Sequence, residues 1–191
     1  MERIRPIKYR PDWSKIPVKL LISNMVEFKL PMDRIRDSNP WCTDEEFEQW
    51  KLSEGVLGRD NPNTFSRIIR LPRQKSGYPP ELQKIFDNCK CDMITVVELP
   101  PNSGYPPHRD ANRSVNINFI MPNECGTPVA PIIVEDVEYN YDRFVVDVHN
   151  QKHSVPSVNT TRLTMMLTYL TATYEEVVEE LQANGWVYTD L

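Results

Sequence analysis

The spacing of apolar and polar positions changes character along this chain. "TDEEFEQWKLSEG" (43–55) and "PPELQKIFDNCK" (79–90) carry helical spacing. Thr43 can cap the first, with Glu46 three residues on as its capping-box partner and Gly55 as its end. Pro79 and Pro80 open the second, and Leu82, Ile85 and Phe86 form its apolar stripe. Residues 1–40 are punctuated by proline around one apolar run, "VKLLISNMVEFKL", predicted as one or two strands. From residue 92 the texture becomes β-rich. "DMITVVEL", "RSVNINFIM", "PVAPIIVED", "RFVVDVH" and "RLTMMLTYL" are short runs divided by Pro, Asn and Gly. "YEEVVEELQANG" returns to helical amphipathicity and closes at Gly185. Helices, then several short strands, then one helix predict an antiparallel β-sandwich or barrel with helices against one outer face.

Composition narrows the class without altering that picture. The chain has 191 residues, 40% hydrophobic and 26% charged, which suits a single soluble domain. Its net charge of −5 argues against a nucleic-acid partner, because the basic stretch "MERIRPIKYR" is short, carries proline and reads as a terminal arm. No apolar run approaches the ~20 residues that span a bilayer, and the N-terminus has no signal-like apolar region. Cys42, Cys89, Cys91 and Cys125 therefore read as thiols, and a cytoplasmic location is expected. Cys89-Lys-Cys91 lacks a second pair at zinc-finger spacing. Trp13, Trp41, Trp50 and Trp186 read as packing or lid residues.

The chemistry lies in the polar faces of two runs. Steps of two from His108 reach Asp110, Asn112, Ser114, Asn116 and Asn118, while Val115, Ile117, Phe119 and Met121 fall on the other side. A solvated outer face gives the same alternation, but it explains His-x-Asp less well than it explains Ser and Asn. In the late run Arg162, Thr164, Met166 and Thr168 alternate with Leu163, Met165, Leu167 and Tyr169. The chain has three histidines, and the other two, His149 and His153, stand just before that run. If both runs line one cavity, two imidazoles and a carboxylate converge there, the facial set used for non-haem Fe(II). Arg162 shares the polar face with no Asp or Glu in its strand, so a bound dicarboxylic acid would suit its guanidinium.

His108-Arg109-Asp110, then His153, then Arg162 resembles the pattern of the 2-oxoglutarate/Fe(II)-dependent oxygenases, with "RLT" similar to their Arg-x-Ser pair. The resemblance covers roughly residues 93–172. "HSVPSVNTTRLTMMLTYL" also looks like the distal motif of the aspartyl/asparaginyl hydroxylase branch. That branch often lacks the carboxylate. With Asp110 present, the chain is closer to full-triad members such as the small-molecule proline hydroxylases. The resemblance implies a double-stranded β-helix (jelly-roll, cupin-like) core over 91–172, an N-terminal extension over 1–90 packing on it, and a C-terminal helix and tail over 173–191.

It further implies His108, Asp110 and His153 as iron ligands, with "HSV" favouring His153 over His149, which reads as a strand-end residue. Arg162, helped by Thr164, would hold the far carboxylate of 2-oxoglutarate. Asn116 and Asn118 either bond that cosubstrate or bond a neighbouring strand. Arg109 and Arg113 either bind a substrate carboxylate or are surface residues of the strand mouth. The implied reaction uses Fe(II), 2-oxoglutarate and O2 to hydroxylate an amino acid, a peptide side chain or another small molecule, releasing succinate and CO2. The alternatives are a metal-binding cupin of other chemistry and a non-catalytic jelly-roll binding module.

Overall fold

Three alternating strands set the architecture. β4 (Met93–Leu99), β6 (Val115–Ile120) and β11 (Arg162–Tyr169) lie side by side with β11 in the middle. Arg162 stands opposite Leu99 of β4, and Thr168 opposite Asn116 of β6, both pairings antiparallel. Beyond β6 the sheet continues through β9 (Arg143–Val146) to β1 (Ile4–Pro6); beyond β4 it continues through β3 (Asn63–Pro72) to β2 (Val26–Pro31). A second antiparallel sheet has the order β5 (Tyr105–His108), β10 (His153–Val155), β7 (Ile132–Val134) and β8 (Val137–Tyr139). The computed structural model of the chain describes residues 3–31, 45, 63–75, 77–110, 112–121, 131–156 and 159–187. Apart from position 45, the helix predicted over 43–55 lies outside the described residues, as do Cys42, Cys125, Trp41 and Trp50.

The two faces of the seven-stranded sheet do different work. Ile94, Val96, Val115, Ile117, Phe119, Met165 and Leu167 pack against α2 (Pro80–Asn88) and α3 (Tyr174–Ala183), whose Leu82, Ile85, Val177 and Leu181 are fully covered. Each such side chain contributes about 1.5–3 kcal/mol by leaving water. The other face turns toward the four-stranded sheet. Ile120, Phe144 and Val146 meet Ile132 and Val134 at one side, and Ile68, Val97 and Leu99 meet Tyr105 and Val155 at the other. Two facing antiparallel sheets with helices on one outer face make the mostly β sandwich that the alternation predicts, in the jelly-roll form that the resemblance implies; among the described residues the sheets do not close into a barrel. Residues 1–90 supply β1, β2 and β3 to the larger sheet itself.

Several elements differ from the sequence reading. The first half of "VKLLISNMVEFKL" is a short helix, α1 (Val18–Ser23), and only Val26–Pro31 is strand. Pro17 leads into the helix, and the Ser23 hydroxyl and Asn24 amide both bond the Leu20 carbonyl at its end. Local capping of this kind wins where only Leu21 of the helix is buried. The Pro106-Pro107 pair lies within strand β5, tolerated because β5 is an edge strand where missing N–H donors cost little. The polar ribbon from His108 to Asn118 is therefore not one strand. After His108 the chain leaves the smaller sheet and crosses to the larger, where the Asp110 N–H donates to the Val148 carbonyl (2.8 Å) and the Ser114 N–H to Tyr169 (2.9 Å).

The C-terminal helix is closed by local chemistry. The Glu176 N–H donates to the Thr173 hydroxyl (3.2 Å) while the Glu176 carboxylate accepts from the Thr173 N–H (2.7 Å). Trp186 then stacks on Tyr9, ring centroids 3.9 Å apart, tying the two chain ends together. Among the described residues no helix is long and apolar enough to cross a membrane. Thr173→Ala should lower unfolding free energy by about 1 kcal/mol, the usual cost of a lost N-cap. Urea unfolding followed by circular dichroism checks this, and an unmoved midpoint would show that the cap contributes nothing here.

Candidate metal and ligand site

His108 ends β5 and His153 begins β10, and the two stand directly opposite each other in the antiparallel pair. Their ring centroids are 4.3 Å apart. Asp110 enters as the chain leaves the sheet, with Oδ1 3.9 Å from His108 Nε2 and Oδ2 3.9 Å from His153 Nε2. One ligand atom from each residue lies within 4.8 Å of the others, a grouping found at this one place among the described residues. Each imidazole is fixed by a backbone carbonyl two residues back. His108 Nδ1 lies 2.7 Å from the Pro106 carbonyl, and His153 Nδ1 lies 3.1 Å from the Gln151 carbonyl. A carbonyl only accepts, so each Nδ1 carries the hydrogen and each Nε2 keeps a free lone pair.

The charge states fit the same purpose. Burial, reinforced by His108, pulls the His153 pKa down to about 4, so this imidazole is neutral at ordinary pH. Burial pushes the Asp110 carboxyl up, but the Arg113 guanidinium 2.7 Å away and the two imidazoles outweigh it and hold the group below the usual carboxylate range. Two imidazole nitrogens and one carboxylate on one side suit a divalent first-row metal and leave room for further ligands. On the cavity wall, Asn116 has a buried Oδ1 with no hydrogen-bond partner among the described residues. Leaving such an atom unsatisfied costs about 1–3 kcal/mol, so this wall fits a polar guest.

A cavity of about 610 Å³ joins these groups to a cation at its floor. Arg162 and Thr164 line it, both 8% exposed, with Arg162 Nε 3.4 Å from the Thr164 hydroxyl and Nη1 3.1 Å from the Pro131 carbonyl. Burial lowers the Arg162 pKa to about 10, which still leaves it charged at neutral pH. Asn116 and Asn118 line the same cavity, so His108, Asp110, His153, Arg162, Thr164, Asn116 and Asn118 share one space. His149 does not line it; its ring Nδ1 sits 3.0 Å from the Asp110 carbonyl and braces the turn that carries the carboxylate. Arg113 is committed to Asp110, and Arg109 Nη2 approaches Glu135 at 3.7 Å.

Cys89 and Cys91 lie apart from this cavity as free, buried thiols in the core between sheet and helices, their sulfurs 3.5 Å apart. Two lining residues escaped the sequence reading. Tyr105 reaches across from β5 to the Ser66 hydroxyl (2.9 Å) and so joins the two sheets. Arg70 lies on β3, a strand not predicted although Ser66, Ile68 and Arg70 alternate with Arg67, Ile69 and Leu71.

No protein-family model matches the chain, and no curated protein sequence matches it. Solved structures similar to it include a prolyl-4-hydroxylase from Pseudomonas putida, at 16% identity over 79% of this chain and 96% of that one, TM-score 0.43. A 2OG-Fe(II) oxygenase family oxidoreductase from Burkholderia pseudomallei is similar at 12% identity over 82% and 78%, TM-score 0.46. A Trichoplax adhaerens prolyl hydroxylase, solved with a hypoxia inducible factor peptide fragment, is similar at 15% identity over 90% and 92%, TM-score 0.46. At these scores the overlap is partial, and the site is assigned on its own geometry.

His153→Ala should abolish tight binding of Mn(II) or Co(II), and Arg113→Gln should weaken it about 10- to 100-fold, the usual effect of removing a group that orients a ligand. Calorimetric metal titration checks both. Unchanged affinity in His153→Ala would remove that residue from the ligand set.

Proposed function

We propose that this protein is an Fe(II)- and 2-oxoglutarate-dependent oxygenase that hydroxylates an amino acid, a peptide side chain or another small molecule. The observation that carries the reading is the convergence of His108 Nε2, His153 Nε2 and the Asp110 carboxylate, each held by a neighbouring acceptor or cation. The partial likeness to oxygenase and prolyl hydroxylase structures is consistent with it and adds no weight at these scores.

In this reading the three side chains hold Fe(II) on one face. The bound metal and cosubstrate supply the oxidising power for a C–H bond, with succinate and CO2 as coproducts. The protein's own residues bind, orient and exclude water. Arg162 lines the cavity as a buried cation, and its planar guanidinium suits the far carboxylate of 2-oxoglutarate through two parallel hydrogen bonds. Thr164 steadies the guanidinium from its Nε side. Asn116 and Asn118, on the neighbouring strand, offer amide groups to the cosubstrate or to a bound water. Val97, Leu99 and Met166 line the space around these groups and keep it poor in water.

The test is anaerobic titration with Fe(II) and 2-oxoglutarate. A weak visible charge-transfer band should appear in the wild type and vanish in Asp110→Ala. Arg162→Ala should still bind iron but lose about 2–5 kcal/mol of 2-oxoglutarate affinity, the cost of breaking a buried, hydrogen-bonded charge pair. Unchanged cosubstrate affinity in that variant would refute the anchor. Iron binding with no cosubstrate binding in the wild type would favour a metal-binding cupin of other chemistry.

A further inference from the structure

Arg70 stands where the oxygenase reading leaves a charge unanswered. On β3, Ser66, Ile68 and Arg70 share the face that looks into the cavity, and Arg70 lines it. Arg70 is opposite Thr95, Thr95 opposite Met166, and Met166 opposite Asn118, so one row of side chains crosses the cavity wall from Asn118 to Arg70. Arg162 lies four residues along β11 from that row. The two arginine backbones are therefore separated by roughly 13 Å along the strands and about 10 Å across them. Arg70 and Arg162 thus stand at separate places on the cavity wall.

The other cations at the cavity already face acids. Arg113 pairs with Asp110, Arg109 approaches Glu135, and Arg162 is the proposed anchor of the cosubstrate. Arg70 has no acidic partner among the described residues. Arg70 is exposed where it lines the cavity, and Met93 stands two residues along β4 from its cross-strand partner Thr95. A cation on a concave, partly apolar wall concentrates its field on the cavity. That field reaches inward: burial raises the pKa of the Tyr105 phenol, and both Arg113 and Arg70 oppose the rise.

We propose that Arg70 binds a carboxylate of the substrate itself, so that the molecule oxidised here is acidic, with an aliphatic portion lying on Met93. The inference rests on the oxygenase reading and names the substrate class for the same cavity. A guanidinium engages a carboxylate through two parallel hydrogen bonds, which orients the substrate as well as holding it. A neutral or cationic analogue loses that orientation.

The experiment loads the protein anaerobically with Fe(II) and 2-oxoglutarate and titrates it by calorimetry with three probes: free L-amino acids, the same amino acids as carboxamides, and inorganic phosphate. Among the acids, those that bind should do so at least tenfold more tightly than their carboxamides. Their affinity should fall about 10- to 100-fold in Arg70→Gln and partly return in Arg70→Lys, as expected for a charge-assisted hydrogen bond. Thermal unfolding of each variant confirms that it folds. The inference is overturned if carboxamides bind as tightly as acids, if phosphate is the only anion bound, if no amino acid binds, or if Arg70→Gln binds the acids unchanged. The visible band reports separately on metal and cosubstrate, so its absence in the wild type sinks the oxygenase reading and not the anion result.

Discussion

One cross-strand pair organises this molecule. His108 and His153 meet because β5 and β10 run antiparallel with those two positions in register. A slip of one residue would send either ring to the other face of the sheet. The backbone also sets which nitrogen faces the cavity, because a carbonyl two residues before each histidine takes the Nδ1 hydrogen. Asp110 cannot sit in the same strand register, since the chain must bend out of the sheet to bring its carboxylate between the rings. The crossing that does this is secured by the bond to Val148, by His149 on the Asp110 carbonyl, and by Arg113 on the carboxylate. Three separate supports on one short segment mark it as the most constrained part of the cavity wall.

The larger sheet shows how such a polar cavity is sustained. β11 carries Arg162, Thr164 and Thr168 on one face and Met165 and Leu167 on the other, nearly all of them buried. Burying the polar set without full hydrogen bonding costs free energy. The same strand offsets that cost on its reverse side, where α2 and α3 cover its apolar residues. Stability and chemistry therefore share a strand while facing opposite ways, and a substitution's effect depends on residue parity along it.

Period-2 alternation made β4, β6 and β11 readable, and with them the shared polar faces of Asn116, Asn118, Arg162 and Thr164. The spacing of His108, Asp110, His153 and Arg162 carried the site, though the single ribbon drawn through it was wrong, because Asp110 belongs to a crossing and not to a strand. What escaped had weak or contrary local signals. β5 holds two prolines, and β10 is only three residues long. Its partner β7 connects to β8 through Glu135 and Asp136, both at positive φ (46° and 66°) with no glycine to announce the turn. β3 shows alternation, but its exposed arginines mask a strand whose pairing with β4 is decided by tertiary context.

The ligands come from segments far apart in the chain, and the strand that positions the second imidazole is among the last to be made. Of the three grouped residues, His108 and Asp110 lie in the first two thirds of the sequence and His153 in the last third. Loop closure must precede coordination, and long-range pairing of this kind is slow. The three groups thus come together only once β10 has paired with β5, so any metal they take up would be bound late in folding. Chelators and partial unfolding should consequently act on the same equilibrium, one by withdrawing the ion and the other by dispersing the groups that hold it.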